Sequence, residues 1–299
     1  MILLFGGNGQ LGQEIARLGA TRRVALVGLT RAEADIANGA AVVRAIAQHQ
    51  PKLVVNAAAY TKVDLAESEI EAARQGNEIG PGLLAQACAD AAVPLIHIST
   101  DYVFDGTKRG AYVETDPVAP TGSYGRSKAA GETAVRAANP HHVIIRTAWV
   151  FGEFGNNFLR TMLRLAATRD ELRVVADQRG CPTSTTDLAD AIFGIAPRLI
   201  AGHDVWGTYH FAGTGVTTWH GFASRIVAAQ APLTGRAPRV TPITTADYPT
   251  PARRPANSEL DCARFAHVFG MRAHSWEEET DRITRAILAA QPGKAAHVA

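Results

Sequence analysis

The sequence predicts an α/β chain, a doubly wound parallel sheet followed by a smaller C-terminal domain. Three observations predict it. Strand-sized apolar runs alternate with helical segments through five units before residue 150, the order that builds a parallel sheet with right-handed crossovers. A glycine turn follows the first run directly. After residue 150 the alternation loses its regularity. Residues 1–150 are therefore expected to form the sheet domain. Residues 151–299 are expected to form mainly a second domain, with some segments returning to the first sheet.

Ile2-Leu3-Leu4-Phe5 is long enough for a buried strand. Gly6-Gly7-Asn8-Gly9-Gln10-Leu11-Gly12 follows at once, and Leu11, Ile15 and Leu18 then fall on one helical stripe. Strand, glycine turn and helix is the context a dinucleotide site needs. Glycines let the backbone approach a pyrophosphate, and a helix N-terminus offers free N–H groups and a positive dipole end. The spacing is G-x-x-G-x-x-G, and a merely flexible turn is the competing reading. Val24–Leu29 reads as the second strand. Leu29-Thr30-Arg31 at its end carries no acid for a ribose hydroxyl. Arg31 suits a 2′-phosphate and so favours NADPH over NADH, unless it is only a solvated charge. Asp35-Ile36 follows, placed to border an adenine.

Ala40–His49 has helical composition and stops before Pro51. Leu53–Asn56 is the third strand, and it runs into Ala57-Ala58-Ala59. Small residues at that end leave room for a ligand or simply pack closely. Residues 66–91 read as helix interrupted by Gly80-Pro81-Gly82. Leu95–Thr100 is the fourth strand, with Thr100-Asp101-Tyr102 at its tip, where a hydroxyl could bond a substrate carbonyl or end the strand in a turn. Val103–Gly122 reads as loop. Ser123 is expected to cap a helix through Ala138.

That helix places Tyr124 and Lys128 one turn apart on one face. An ammonium beside a phenol lowers its pKa from about 10 toward neutrality, which makes a proton donor to a carbonyl. An incidental surface pair is the competing reading. His142–Ala148 is the fifth strand. Trp149 beyond it could stack on a sugar or cap the core. In the second half, Phe158–Thr168, Thr186–Ile200 and Thr218–Gln230 read as helices, and Leu172–Val175 and Thr208–Phe211 as strands. Residues 231–258, rich in Pro, Thr and Arg, read as extended. Arg253–Ser258 within them could grip a diphosphate or be an exposed loop. Pro292–Ala299 is expected to fray.

Composition excludes several classes. The 299 residues are 46% hydrophobic and 19% charged, with net charge +2. No charge block argues for nucleic acid, and no apolar run is long enough for a membrane span. Three scattered cysteines make no disulfide framework or metal knuckle. The N-terminus opens into a strand, so no signal peptide is expected, and a reduced cytoplasmic chain is.

The glycine turn, Asn56–Ala59, the run from Ser99 to Gly106 and Tyr124-x-x-x-Lys128 together resemble the extended short-chain dehydrogenase/reductase family, whose first domain is of the Rossmann type. Within that family, Gly9-Gln10-Leu11-Gly12, the stretch from Ala59 to Glu67 and Arg254–Asp261 are similar to the dTDP-4-dehydrorhamnose reductases. The resemblance covers essentially the whole chain. It implies an NADP-binding domain and a substrate-binding domain, with hydride passing from NADPH to the C4 ketone of dTDP-4-dehydro-L-rhamnose. NADH is the alternative reductant.

By the same resemblance Tyr124 is the proton donor. Lys128 lowers its pKa and holds the nicotinamide ribose, and Thr100 polarises the carbonyl. Asp101, Tyr102 and Trp149 contact the sugar. Gly6, Asn8, Gly9, Gln10, Leu11, Gly12, Arg31, Asp35, Ile36, Ala57, Ala58 and Ala59 hold the cofactor, with Tyr124 and Lys128. Arg254 and Asn257 lie near the nucleotide sugar. Some members are magnesium-dependent dimers with acidic residues at the interface. Glu14 matches one such position, but Pro182–Asp187 supplies no second acidic pair, so Mg²⁺ is not predicted. A monomer or homodimer is expected. The competing functions are another nucleotide-sugar reductase or epimerase of this fold, and a non-catalytic NADP-binding regulatory subunit.

Overall fold

The computed structural model describes residues 1–290, so the terminal stretch expected to fray lies outside the described residues. In the first half, β1 (Ile2–Phe5), α1 (Gln10–Thr21), β2 (Leu26–Leu29), α2 (Gly39–His49) and β3 (Leu53–Asn56) alternate. Helices α3 (Ile70–Arg74) and α4 (Gly80–Asp90) lead to β4 (Leu95–Thr100), and α5 (Ser123–Ala138) leads to β5 (His142–Thr147). The second half begins with β6 (Val150–Phe151), α6 (Phe158–Ala166), β7 (Glu171–Val175), β8 (Arg179–Gly180) and β9 (Thr183–Ser184). It continues through α7 (Thr185–Ile200), β10 (Gly207–His210), β11 (Thr217–Thr218) and α8 (Trp219–Thr234). The last elements are β12 (Arg239–Ile243), β13 (Asn257–Ser258), α9 (Ala263–Phe269) and α10 (Trp276–Ala289).

Six strands form one parallel sheet in the order β10-β5-β4-β3-β1-β2. The chain switches direction between β1 and β3, and ligands of open α/β sheets bind at the carboxyl ends beside such a switch. The four inner strands, β1, β3, β4 and β5, are buried on both faces, which is why they read as continuous apolar runs. In β1, Leu3 and Phe5 face α2, α4 and α5, while Ile2 and Leu4 face α1, α7 and α9. A separate core joins α6, β7, α8 and α10 around Phe151, Phe222 and Trp276.

Three local expectations are corrected. Gly80-Pro81-Gly82 does not interrupt the helix. Residues Gln75–Ile79 form a π turn, and Ile79 keeps helical angles into α4. Pro81 sits in the first turn of α4, directly after the π turn. Ser123 is not the cap of α5 but its first helical residue; the capping position is Gly122, which has no side chain to offer. Glu67, in the short turn Leu65–Glu67, does that work from a distance. Its carboxylate accepts the Ser123 N–H at 2.7 Å and the Ser123 hydroxyl at 3.0 Å. Finally, α8 runs through Pro232 to Thr234 and ends on left-handed Gly235, so the extended segment starts later than residue 231. Part of that segment, β12, pairs with β7.

Candidate active site

The carboxyl ends of β1, β3, β4 and β5 lie side by side and bring the predicted residues together from four parts of the chain. At β1, Gly6 takes φ +90°, and a Cβ there would lie 2.5 Å from the Ala58 nitrogen. A Cβ at Gly12 would lie 2.2 Å from the Gly6 oxygen. Only glycine fits either place, so the turn after β1 packs directly onto α1 and onto the chain leaving β3. Gly9 caps α1 without a side chain and leaves the first-turn N–H groups of the helix without a side-chain partner. A cradle that any side chain would fill, at a bare helix N-terminus, fits a pyrophosphate. Asn8 is exposed and Gln10 half-buried beside it, whereas the Leu11 side chain lies in the core, so only its backbone faces the turn. A cavity of about 330 Å³ adjoins this turn, lined by Gly7, Asn8, Gly28 and Thr30.

Beyond β2, Arg31 is exposed and donates to Asp35 at 2.9 Å. Burial pushes the Asp35 carboxyl up, but the Ala37 N–H and Arg31 together hold it below its ordinary value. Ile36 is buried, and its side chain lies where a Cβ on Gly80 would be. Beyond β3, Ala57 and Ala58 are half-buried and Ala59 is exposed. The Ala58 N–H donates to Asn56 at 3.1 Å.

Tyr124 and Lys128 stand on one face of α5. Tyr124 is half-buried and meets Tyr102 edge to face at 5.5 Å. A Cβ at Gly125 would lie 2.2 Å from the Tyr102 carbonyl oxygen, so the helix and the tip of β4 are in close contact. Lys128 is buried, and its ammonium donates to the Ile98 carbonyl at 2.7 Å. The expected lowering of the phenol is not found. Burial pushes Tyr124 up to about 12, the Asp101 charge adds to the rise, and only the Thr100 hydroxyl acts the other way. Burial brings Lys128 down to about 8, opposed by the Glu132 carboxylate. The ammonium is directed at the backbone of β4, and desolvation of the phenol dominates.

Thr100 ends β4, directly opposite Thr147 of β5. Its hydroxyl donates to Asp101 at 2.9 Å and accepts the Tyr102 N–H at 3.2 Å. Asp101 is 3% exposed, and burial raises its carboxyl to about 6, opposed by the nearby hydroxyls of Ser258 and Thr100. Trp149, two residues past Thr147, holds a left-handed φ of +50°, which is costly for a bulky residue. Its indole stacks on Trp219 with ring centres 3.7 Å apart. Gly180 makes that position available, since a Cβ there would lie 2.6 Å from the indole.

The segment after β12 departs from expectation. Arg254 makes two bonds to Asp64, at 2.9 and 2.8 Å, and a third to Thr250. It lines a cavity of about 520 Å³ with Asp105, Tyr248, Thr250 and Arg253. Asn257 is not presented to that cavity. Its amide donates to the Lys108 and Gly110 carbonyls and accepts the Glu259 N–H, so it ties β13 to the loop after β4.

Two residues at the site were missed by the sequence. Asn77, fully buried in the π turn, accepts the Tyr60 N–H and donates to the Tyr60 carbonyl and to Ser127, and so clamps the chain after β3 to α5. An asparagine just ahead of Gly80-Pro81 was the available signal, since π turns gather at functional sites. Glu132, one turn past Lys128, is wholly buried and accepts Ser99, Arg136 and Arg146. The implied magnesium does not fit. Glu14 is buried with its carboxylate taken by Arg17 and Thr186, and Arg282 donates to that same Thr186. A buried carboxylate already paired with Arg17, with a second guanidinium one hydroxyl away on Thr186, is a poor seat for a divalent cation. Among the described residues no three acidic, histidine or cysteine side chains gather as ligands.

Comparison with known proteins gives one consistent result. Residues 1–288 match the family model described as the RmlD substrate binding domain. The dTDP-4-dehydrorhamnose reductase of Sinorhizobium fredii is 46% identical, covering 95% of this chain and 96% of that one. A crystal structure of a dTDP-4-dehydrorhamnose reductase from Clostridium acetobutylicum superposes with TM-score 0.89 at 38% identity, over 96% of this chain and 99% of that one. The Bacillus anthracis enzyme, in complex with NADP, superposes with TM-score 0.87 at 35% identity, over 95% and 98% of the two chains.

Proposed function

The chain belongs to the RmlD family of dTDP-4-dehydrorhamnose reductases, and from that premise we propose how its residues perform the reaction. The reaction is the NADPH-dependent reduction of the C4 ketone of dTDP-4-dehydro-L-rhamnose to dTDP-L-rhamnose. The observation that carries the proposal is the meeting of Tyr124 and Lys128 with Thr100-Asp101-Tyr102, beside a turn that only glycine can make.

NADPH supplies the hydride when bound. The turn Gly6–Gly12 and the N-terminus of α1 would hold its diphosphate, with Arg31 and Asp35 at the adenosine end and Ala57–Ala59 along the chain leaving β3. A phenol pushed up to about 12 is protonated at neutral pH, so Tyr124 is suited to donate a proton to the oxygen that becomes anionic at C4. Lys128 provides positive charge behind it, and Thr100 faces the same oxygen. Trp149 offers an aromatic wall for the sugar, with its ring fixed by Trp219. Arg254 is suited to a phosphate, because it already holds a carboxylate in the two-pronged way it would hold a phosphate. Asn257 acts on this pocket only by holding the loop 105–112.

Residues 1–150 are assigned to cofactor binding and residues 151–299 mainly to substrate binding, with β10, α7 and α9 packed on the first sheet. A cytoplasmic monomer or homodimer is the assembly we assign. Its three cysteines are free, and among the described residues no helix is long and apolar enough to cross a membrane. The test is loss of reduced-nicotinamide absorbance when dTDP-4-dehydro-L-rhamnose is added to enzyme and NADPH. Stoichiometric oxidation is expected. An epimerase would convert substrate without net consumption of NADPH, and a regulatory subunit would do neither.

A further inference from the structure

The hydroxyl of Thr100 has one hydrogen to donate and two lone pairs to accept with. One lone pair takes the Tyr102 N–H, and the hydrogen is directed to Asp101 Oδ1. In that arrangement Thr100 has no hydrogen left for a substrate carbonyl. Asp101 itself is 3% exposed, and its second oxygen, Oδ2, is buried without a partner. The groups facing it are the hydroxyl of Ser258 from β13, the phenol of Tyr124 from α5, the phenol of Tyr102, and the thiol of Cys181 between β8 and β9. None of these is a cation. A carboxyl in such surroundings keeps its proton more readily than one in water.

We propose that Asp101 is a positioning residue whose own proton sets the direction of the Thr100 hydroxyl. When Asp101 is ionised, Oδ1 holds the Thr100 hydrogen. When Asp101 is protonated, its O–H donates to the remaining lone pair of Thr100, and Thr100 turns its hydrogen toward the ketone oxygen. Only in this second form can Thr100 accept from both Tyr102 and Asp101 and still donate to substrate. The inference rests on the reductase reading for the position of the ketone. Burial raises Asp101 to about 6, so both forms are reached near neutrality. The free enzyme is therefore at its best below that value. A bound sugar that excludes water favours the protonated form further.

Two measurements test this. The first is the pH profile of kcat/KM, which reports groups of the free enzyme. In the wild type it should fall by about tenfold or more as pH rises through about 6, the scale of losing one donor to a developing oxyanion. Asp101→Asn should lack that limb, because an amide does not titrate and its N–H can donate to Thr100. Thr100→Val should also lack it, at lower activity throughout, while Thr100→Ser should retain it. The second is a carboxyl ¹³C NMR titration of Asp101, which needs no substrate. It should report a midpoint near 6 in the wild type and a higher one in Thr100→Val, where the bond favouring the ionised form is gone. A limb that persists in Asp101→Asn or in Thr100→Val overturns the proposal. So does a flat wild-type profile, or an Asp101 midpoint near that of a solvated carboxylate. A wild type with no turnover of the sugar overturns the reductase reading instead, and the titration of wild type and Thr100→Val still decides the Asp101–Thr100 pair. That titration also decides it if Asp101→Asn does not fold.

Discussion

Replacing Arg146 by methionine tests the buried charges beneath the site. Glu132 and Arg146 are 0% and 1% exposed, and the guanidinium makes two bonds to the carboxylate, at 2.9 and 2.7 Å. Ser99 donates to the same carboxylate at 2.6 Å, and so does half-exposed Arg136. Arg146→Met removes two of these four bonds and leaves a buried carboxylate short of a partner. Such a loss costs about 3–5 kcal/mol. With unfolding entropy of about 2.1 cal/mol/K per residue, a chain this long unfolds with about 0.6 kcal/mol/K, so the midpoint should drop by roughly 5–8 °C.

Circular-dichroism melting at neutral pH reads that shift. A Glu132→Leu/Arg146→Met chain, with neither charge of the pair, should recover a large part of it, because the cost lies in the unpaired charge. The pH dependence has a fixed sign. Burial pushes the Glu132 carboxyl up, but Arg146, Ser99 and Arg136 more than reverse this and hold it below its ordinary 4.5. Its stabilisation is therefore complete above 4.5 and is lost as pH falls through the lower folded value. The gap between wild type and Arg146→Met should narrow in acid. An Arg146→Met chain that melts with the wild type, a double variant as damaged as the single one, or a gap that widens in acid refutes the reasoning.

Other outcomes follow from the same geometry. Tyr124→Phe should lower kcat by about 10² or more while NADPH affinity, read by fluorescence titration, is nearly kept; unchanged turnover would remove Tyr124 as the acid. Arg31→Ala should weaken NADPH by roughly tenfold and leave NADH unaffected, the scale of one charged hydrogen bond. Equal losses would show that Arg31 is only a surface charge. Gly180→Ala places a Cβ 2.6 Å from the Trp149 indole, so it should break the stack with Trp219, change the tryptophan near-UV dichroism and raise KM for the sugar but not for NADPH. Chelation by EDTA should leave turnover unchanged, since Arg17 and Thr186 already engage Glu14; inactivation restored by Mg²⁺ would contradict that.

Elements with a local signature were legible in the sequence. Ile2–Phe5 and Leu95–Thr100 are strands at the residues expected, because strands buried on both faces leave unbroken apolar runs between turn residues. The glycine turn was legible because its spacing states a steric demand. What local pattern could not carry was pairing at a distance. Glu67 caps a helix that begins at Ser123, Asp64 holds Arg254, and Asn257 faces its own chain rather than a pocket. The direction of the Tyr124 shift was misjudged for a related reason. A Tyr and a Lys one turn apart imply attraction, but the result depends on how much water the fold removes and on where Ile98 directs the ammonium.

The composition of the main core also bears on the order in which the chain can be made. By residue 150 a ribosome has released five of the six strands. The sheet face carrying Leu4, Leu53, Val55, Ile96, Val143 and Ile145 packs on α1 early, but its cover is completed only by α7 and by Phe265 and Phe269 of α9. Tyr209 of β10, the last strand to join, packs on both of those phenylalanines. The nascent first half therefore carries a partly uncovered apolar surface until α7 is made, and its cover is complete only with α9, more than a hundred residues after residue 150. That interval is the time in which such a chain is open to aggregation and to capture by chaperones. A stop codon before α7 would leave much of that surface permanently uncovered, and one between α7 and α9 would leave it without the Phe265–Phe269 contribution.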